Sequence, residues 1–477
     1  MAKNYIQEFG KDHVLNEIIE QIQLVYKSDN RPWVIGYSGG KDSTVTCMLV
    51  LDAISKLPEN ERTKEIHIVS SDTLVENPLI LNYLQLNITK MQQYSVKSNL
   101  NVMAKLIRPE LKDSFWVLMI GKGYPTPRQK FRWCTSRLKI KPIDNYIDQM
   151  AKENGSVVVV LGVRSAESNS RSISIRKNSV DGKILKKHTT NKDAFVYAPI
   201  EHLSNDDIWS CLMNSTTPWG TDGNTLLSLY MDASDESECP IQQDTNAPSC
   251  GQSRFGCWTC TVVTKDKSLT GFIHNGYDEL RTLLSFRNFI YQLRDNPEYR
   301  QNYRMDGSIY QLGTGDDARR GVGPFNLKGR KLILEKLLES EMQFNRDLLE
   351  SQQGRFSLET TSHYSLITKD ELELIRQYWI EDGDWEDSLP LIYKQVTDSD
   401  YFFGYVNQPF IIDNDLKILE DICNAENLEL DLIKALITIE NKYQGLKKRS
   451  GIQKAIDKAL NKDIVHEELY ELNRGEK

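Results

Sequence analysis

"VIGYSGGKDSTVTCMLVLDAI", residues 34–54, runs from a strand-like apolar stretch through two glycines, a lysine and an aspartate into a helical pattern. Strand, glycine-rich loop and helix in that order make an anion-binding turn. Glycines let backbone N–H groups face a ligand, and the helix points its positive end at the same place. A Walker A loop requires G-x-x-x-x-G-K-[ST]. Here Ile35 stands where its first glycine belongs, and Asp42 follows Lys41. The dinucleotide fingerprint G-x-G-x-x-G fails too, because Gly36 is followed by Tyr37 and Ser38. What remains is S-G-G-K-D-S. In it Gly39 and Gly40 shape the turn, Lys41 adds a full charge, and Asp42 either holds a magnesium ion or orients the loop. The plain alternative is an ordinary βα turn that happens to carry Lys and Asp.

Outward from this loop the first half alternates between β and α. Residues 12–27 read as an amphipathic helix with Val14, Leu15, Ile18, Ile19 and Ile22 on one face. Strand-like runs fall at 33–37, 65–70, 102–107 and 156–163, with helical patterns near 43–57, 77–97 and 142–153. Such alternation predicts an α/β fold with a doubly wound, mostly parallel sheet. Ligands then sit beyond the carboxyl ends of the strands, after Tyr37, Ser70 and Val163. From about residue 265 the strand signal fades into charged, mainly helical sequence, with a helix start at Thr368-x-x-Glu371 and a glycine-rich loop at 312–324. The expected organisation is a nucleotide domain over 1–230, a cysteine-rich segment over 231–265 and a helical C-terminal region over 266–477.

Composition narrows the function classes. The 477 residues suffice for two or three domains, and 39% hydrophobic with 26% charged residues is ordinary for a soluble globular protein. No apolar run approaches the roughly 18 residues of a membrane span. The opening MAKNYIQEFGKDH lacks the apolar core of a signal peptide, so a cytoplasmic protein with no membrane partner is expected. A net charge of −8, from 59 basic and 67 acidic residues, argues against indiscriminate nucleic-acid binding but leaves room for a local patch. Two segments supply one. Residues 122–141 contain Arg128, Lys130, Arg132, Arg137 and Lys139, no acid, and interleaved Tyr124, Phe131 and Trp133. Residues 171–187 add six more basic side chains, beginning with Arg171. Basic residues interleaved with aromatics suit a nucleic-acid backbone, with a solvated face or a nucleotide-only pocket as the alternative.

Eight cysteines in such a chain point to metal or redox chemistry rather than a disulfide framework. Cys47, Cys211 and Cys423 fall in helical or apolar patterns and read as small buried hydrophobes. Cys239, Cys250, Cys257 and Cys260 form C-x10-C-x6-C-x2-C in a stretch rich in Pro, Ser, Asp and Gly. Four thiolates there fit either an iron–sulfur cluster or a structural zinc, and spacing leaves both open.

Four motifs occur in series: SGGKDS, D-T-x-x-x-x-P from Asp72 and Thr73, R-x-C-x-x-x-x-K from Arg132 through Cys134 to Lys139, and G-x-R-x-x-E-S-x-x-R from Gly162 through Arg164 to Arg171. Over about residues 30–215 this order resembles the adenine-nucleotide alpha-hydrolase-like, or PP-loop, superfamily, which includes phosphoadenylylsulfate reductase and the small subunit of sulfate adenylyltransferase. The resemblance implies cleavage of ATP between its α- and β-phosphates, with Mg2+. Ser38, Gly39, Gly40, Lys41, Asp42 and Ser43 would hold the departing pyrophosphate, Lys41 and Asp42 acting catalytically. Asp72 and Thr73 would lie near the nucleotide or its metal, with Gly162, Arg164 and Arg171 on the phosphates. Structural ion pairing is the alternative for each arginine.

The segment P-S-C-G-Q-S-R-F-G-C-W-T-C-T-V-V, 248–263, with S-E-C-P at 237–240, resembles the DndC family of DNA phosphorothioation sulfurtransferases. That resemblance implies a 4Fe–4S cluster on Cys239, Cys250, Cys257 and Cys260, a cysteine desulfurase as sulfur donor, other Dnd proteins as partners and DNA as substrate. Cys134 would either replace Cys239 or Cys250 as a cluster ligand or carry a persulfide. The competing readings are a reductase or adenylyltransferase on small sulfur anions, a tRNA thiolase, and a zinc-stabilised scaffold that binds nucleotide only as a switch.

Overall fold

The computed structural model describes residues 4–165, 184–233, 255–305, 311–312, 319–351, 363–399, 403–404, 413–444 and 448–460. The chain forms two compact units that are not collinear with the sequence. The first comprises Met1–Glu110, Arg132–Leu284 and Glu350–Thr360; the second comprises Leu111–Phe131, Ser285–Leu349 and Thr361–Lys477.

The first unit is built on the expected α/β sheet. Its central strand β1 (Trp33–Gly36) lies between β2 (Ile66–Ser71) and β4 (Val157–Val160). Trp33 stands opposite Ile66 on one side and Val158 on the other, both pairings parallel. Beyond β2 lies β3 (Val102–Ile107), and beyond β4 lies β6 (Ala194–Tyr197), again parallel. The two-residue β5 (Lys186–Lys187) closes the edge antiparallel to β6, giving the order β3-β2-β1-β4-β6-β5. Four helices follow the strand alternation: α1 (Lys11–Lys27), α2 (Lys41–Ser55), α3 (Pro78–Lys97) and α4 (Lys141–Asn154).

The packing explains why these runs were readable. All four valines of β4 are buried, so it has no solvent face and reads as continuous apolar sequence. Val34, Val69, Val157 and Val159 share one core cluster with Ile147, Met150 and Ala151 of α4. The apolar run expected over 156–163 stops pairing at Val160, where the chain leaves the sheet toward Gly162. The strand β6 departs from the four expected strands, since four residues after a polar stretch carry too short a pattern. This topology places the reversal of strand order between β1 and β4. That is where an open α/β sheet leaves a crevice for ligands.

The second unit is mainly helical over its described residues. The first unit also holds α5 (Asn205–Leu212) and α6 (Gly223–Asp232), and the helices of the second include α7 (Leu327–Glu350), α8 (Lys369–Glu381), α9 (Ser388–Thr397), α10 (Asp413–Ala425) and α11 (Leu430–Tyr443). Helix α8 begins with the expected capping box, Thr368 and Glu371 each bonding the other's backbone. Segment 115–121 is fully buried, and its irregular carbonyls find side-chain partners. Trp379 Nε1 donates to the carbonyl of Ile120 at 2.8 Å, and Arg330 Nη1 to that of Gly121 at 2.6 Å. The glycine-rich loop at 312–324 is flanked by a small antiparallel pair, Gln311–Leu312 with Arg319–Arg320, and residues 313–318 lie outside the described set. Among the described residues no helix is long and apolar enough to cross a membrane.

Candidate nucleotide and thiol site

The S-G-G-K-D-S segment forms the turn between β1 and α2. Gly39 adopts φ +71°, and a side chain there would meet Leu84 at 2.7 Å, so the turn requires glycine twice over. Gly40 caps α2 without a side-chain hydrogen bond, so no capping oxygen occupies the first N–H groups of the helix. The loop is tied across its own base instead. Ser43 Oγ accepts from the Ser38 N–H at 3.2 Å, lies 3.1 Å from Ser38 Oγ, and donates to the carbonyl of Gly40 at 2.9 Å.

The loop after β4 closes on this turn. An added Cβ at Gly162 would stand 2.8 Å from the carbonyl oxygen of Asp42 and 2.9 Å from the nitrogen of Ser43. Two residues on, buried Arg164 donates to Asp42 Oδ1 through Nε. The other carboxylate oxygen, Oδ2, is 3.5 Å from Lys41 Nζ. Asp42 is therefore shared by two cations and acts as an organiser of the loop; a Mg2+ ion bound directly to it would have to displace one of them. Arg164 takes the ion-paired alternative with Asp42 as its partner, and that pairing holds it at the mouth of the turn.

The end of β2 builds the adjoining wall. Asp72 is buried, receives the N–H of Leu74 at 2.9 Å and pairs with the exposed Arg108 at 2.9 Å. Thr73 Oγ1 donates to Glu76 Oε1 at 3.0 Å and lies 3.5 Å from Cys257 Sγ. Glu76 also pairs with Lys139 at 2.9 Å. The C-x-x-C turn is stitched to the same loop: Cys257 bridges Glu76, the Trp258 N–H donates to the carbonyl of Val75 at 3.1 Å, and the Cys260 N–H donates to the carbonyl of Cys257 at 3.0 Å.

Electrostatics ties Cys134 to this cluster. Burial, with the neighbouring Cys260 adding to it, raises the Cys134 thiol above its ordinary value against hydrogen bonds from Thr135. Burial pushes the Cys257 thiol up to about 12, reinforced by the Glu76 carboxylate and opposed by Lys139 and Thr73. For Lys139 burial works against the charge, but Cys257 and Glu76 outweigh it and raise the ammonium above the ordinary lysine value. Cys134 caps a π-helical turn, Thr135–Ile140, that carries Lys139. Lys139, expected on a nucleic-acid backbone, thus stands among thiols and a carboxylate.

The remaining expected residues divide. Cys239, Cys250 and Arg171 lie outside the described residues. Cys134, Cys257 and Cys260 are partly buried, and Cys47, Cys211 and Cys423 are buried as expected. Among the described residues no three His, Cys, Asp or Glu side chains are placed to hold a metal ion together. The donor chemistry nonetheless fits a thiolate-bound group, with three thiols in one neighbourhood and further cysteines in the same segment. The basic stretch 122–141 is shared between the units: Arg128 and Lys130 belong to the second, Arg132, Arg137 and Lys139 to the first. Arg128 pairs with Asp295, while Lys130 and Arg132 are exposed. Neither Glu76 nor Arg108 stands out in the sequence, because charged residues flanking a strand end carry no period that separates them from solvated ones.

Residues 32–263 match the family described as phosphoadenosine phosphosulfate reductase domain. Residues 414–461 match a family described as a small protein found in certain Dnd DNA modification systems. An uncharacterized protein of Methanocaldococcus jannaschii is 26% identical over 208 residues, 44% of this chain and 37% of that protein. A second from the same organism is 26% identical over 170 residues, 35% of this chain and 34% of that protein. The alignments thus span little more than a third of these relatives. Among solved structures, the U34-tRNA thiolase of Methanococcus maripaludis with its [4Fe-4S] cluster aligns over 62% of this chain and 83% of its own, at 14% identity and a TM-score of 0.29. Candida glabrata FMN adenylyltransferase aligns over 52% and 70%, at 13% identity and a TM-score of 0.28. The chain is thus similar to the phosphoadenosine phosphosulfate reductase domain family over residues 32–263 and to the Dnd-system small-protein family over residues 414–461.

Proposed function

We propose that the protein is an ATP pyrophosphatase and sulfurtransferase of DNA phosphorothioate modification. A non-bridging oxygen of a DNA phosphodiester attacks the α-phosphorus of ATP, displacing pyrophosphate and leaving that oxygen adenylylated. That oxygen, a poor leaving group by itself, now departs as part of AMP. A sulfur nucleophile forms the P–S bond as the P–O bond breaks. The observation that carries this reading is the uncapped, glycine-closed turn of Ser38–Ser43, in the same unit as Cys134, Cys257 and Cys260. The Dnd-system segment at 414–461 supports DNA as the target.

In this reading the first N–H groups of α2 and Lys41 hold the pyrophosphate end, where positioning and charge stabilisation do most of the work of phosphoryl transfer. Asp42 and Arg164 fix the loop. Cys257 and Cys260, with Cys239 and Cys250, would hold a 4Fe–4S cluster, which supplies iron-bound sulfide chemistry when bound. Cys134 stands beside that pair as a further ligand or a sulfur carrier, with Lys139 offsetting negative charge on the thiols. Lys130 and Arg132 would meet the DNA backbone, with other Dnd proteins and a cysteine desulfurase as partners in the cytoplasm. A second reading, reduction or adenylylation of small sulfur anions, is favoured by the family matched at 32–263.

The test is product analysis joined to a cellular readout. Purified protein should release AMP and pyrophosphate, and Lys41→Ala should abolish this without changing the melting temperature. ADP and phosphate would refute the reading. Cells lacking the protein should lose phosphorothioate linkages by nuclease digestion and mass spectrometry; intact linkages with a sulfate-assimilation defect would move the assignment to small anions.

A further inference from the structure

At the carboxyl end of β2 a buried carboxylate holds a surface guanidinium. The Asp72 N–H donates to the carbonyl of Ile107 at 2.9 Å, so the ladder to β3 runs up to the residue before Arg108. Pro109 follows and disfavours a helical backbone at Arg108. The Asp72 side chain is 1% exposed and that of Arg108 60%. Asp72 Oδ1 accepts the N–H of Leu74 and Oδ2 accepts the Nε–H of Arg108, both at 2.9 Å. Each carboxylate oxygen has a donor, so the acid cannot turn without losing one. Arg108 spends only Nε on this bond. Its terminal nitrogens, Nη1 and Nη2, bond no other group among the described residues. A side-by-side fork on the carboxylate would have used a terminal nitrogen as well. What remains is the outer edge of a fixed, planar guanidinium, turned to solvent.

The neighbours of Asp72 give that edge its place. Ser71 Oγ donates to the carbonyl of Leu138 at 3.0 Å, in the turn that follows Cys134. Thr73 lies against Cys257, and Glu76 pairs with Lys139. Asp72 sits between Ser71 and Thr73, so Arg108 is anchored to the loop that backs the thiols. Strands stand about 4.8 Å apart, which puts the end of β3 roughly 10 Å along the sheet from the turn after β1. An oxyanion on Arg108 would therefore be a second anion, beside a polyphosphate seated on that turn.

We propose that Arg108 binds a tetrahedral oxyanion of the acceptor substrate, and that Asp72 is the positioning residue that aims it. The terminal nitrogens present parallel N–H groups that match two oxygens of such an anion. Asp72 keeps that edge turned outward before the anion arrives, which cuts the ordering cost of binding. The oxyanion is a DNA backbone phosphate or a free sulfur oxyanion, since both offer the same pair of oxygens. The inference rests on the reading of the protein as a transferase with an anionic acceptor.

Fluorescence anisotropy of a labelled DNA duplex with the full chain over a range of salt, beside calorimetric titration with sodium sulfate, tests it; melting temperatures show that each variant is folded. Arg108→Gln should weaken binding of DNA, of sulfate or of both about tenfold, as expected for a hydrogen bond between charged groups. Weaker DNA binding with a salt slope lowered by about one assigns the oxyanion to backbone phosphate, whether or not sulfate is affected. Weaker sulfate binding with unchanged DNA affinity assigns it to a free anion. Unchanged affinity for both overturns the proposal and leaves Arg108 as a neutraliser of Asp72. Arg108→Lys keeps the charge without the planar edge, so it should hold the salt slope yet recover little of the affinity. Full recovery by the lysine variant overturns the aiming role of Asp72. Wild-type protein that binds neither DNA nor sulfate overturns the underlying reading, and is recognised without any substitution.

Discussion

Replacing Gly162 by alanine isolates one contact on which the Ser38–Ser43 turn depends. The new Cβ would stand 2.8 Å from the carbonyl oxygen of Asp42, against about 3.4 Å for ordinary contact, and 2.9 Å from two further backbone atoms. Those atoms belong to the first turn of α2, whose next residues, Thr44 to Leu51, are buried against the sheet. The helix cannot retreat, so the loop after β4 must, taking Arg164 with it. Overpacking of this kind costs about 1–3 kcal/mol. For a unit of this size that lowers the melting temperature by roughly 2–12 °C. Because the strain falls on Asp42 and Arg164, AMP formation should drop at temperatures where the variant is still folded. Gly404→Ala is the control: its nearest neighbour is the Glu373 side chain at 3.7 Å, and it should change stability by less than about 0.5 kcal/mol. Gly162→Ala with native melting and native AMP formation would refute the argument that this close approach sets the turn.

Two further outcomes follow from the ion pairs and the buried histidine. In a double-mutant cycle of Asp42→Asn and Arg164→Met, thermal unfolding should show coupling of about 0.5–3 kcal/mol; strictly additive losses would mean that the two side chains do not act together. His67 is buried on β2, next to the Tyr146 hydroxyl at 2.7 Å and Glu65 at 3.0 Å, and burial lowers its pKa despite the carboxylate. The unfolded chain then takes up its proton more readily, so stability should fall as pH drops below the ordinary histidine value of about 6.5. Melting temperatures between pH 7.5 and 5.5 should fall less steeply in His67→Gln than in wild type; parallel curves would exclude His67 as the source.

The sheet was legible because its strands are short apolar runs separated by long amphipathic helices, and the first three were placed within a residue of their observed ends. The glycine turn after β1 was legible for a different reason: a glycine pair followed by Lys and Asp has few uses at a strand end. What stayed hidden depends on distant chain segments. The partner of Asp42 is Arg164, 122 residues away, and no local pattern chooses it over another acid. Lys139 belonged to a basic run that suggested a phosphate backbone, and only the fold brings Glu76 and Cys257 to it. The second unit gave fewer cues, because its helices are charged and several of its buried arginines bind carbonyls that no sequence pattern announces.

The π-helical turn at Thr135–Ile140 has a consequence for how relatives of this chain are compared. In an α-helix each residue turns by about 100°, so a side chain five positions after Cys134 would point roughly 140° away from it. The wider turn, with hydrogen bonds spanning five residues, brings Cys134 and Lys139 back into line. Loss of one residue between them would restore ordinary helix and leave a lysine four positions from the cysteine, on the same face again. Two chains, one with four residues and one with three between cysteine and lysine, would then preserve the same charge next to the same sulfur. An alignment that forbids a gap there would count the lysine as substituted in one of them, although its place in space had not changed.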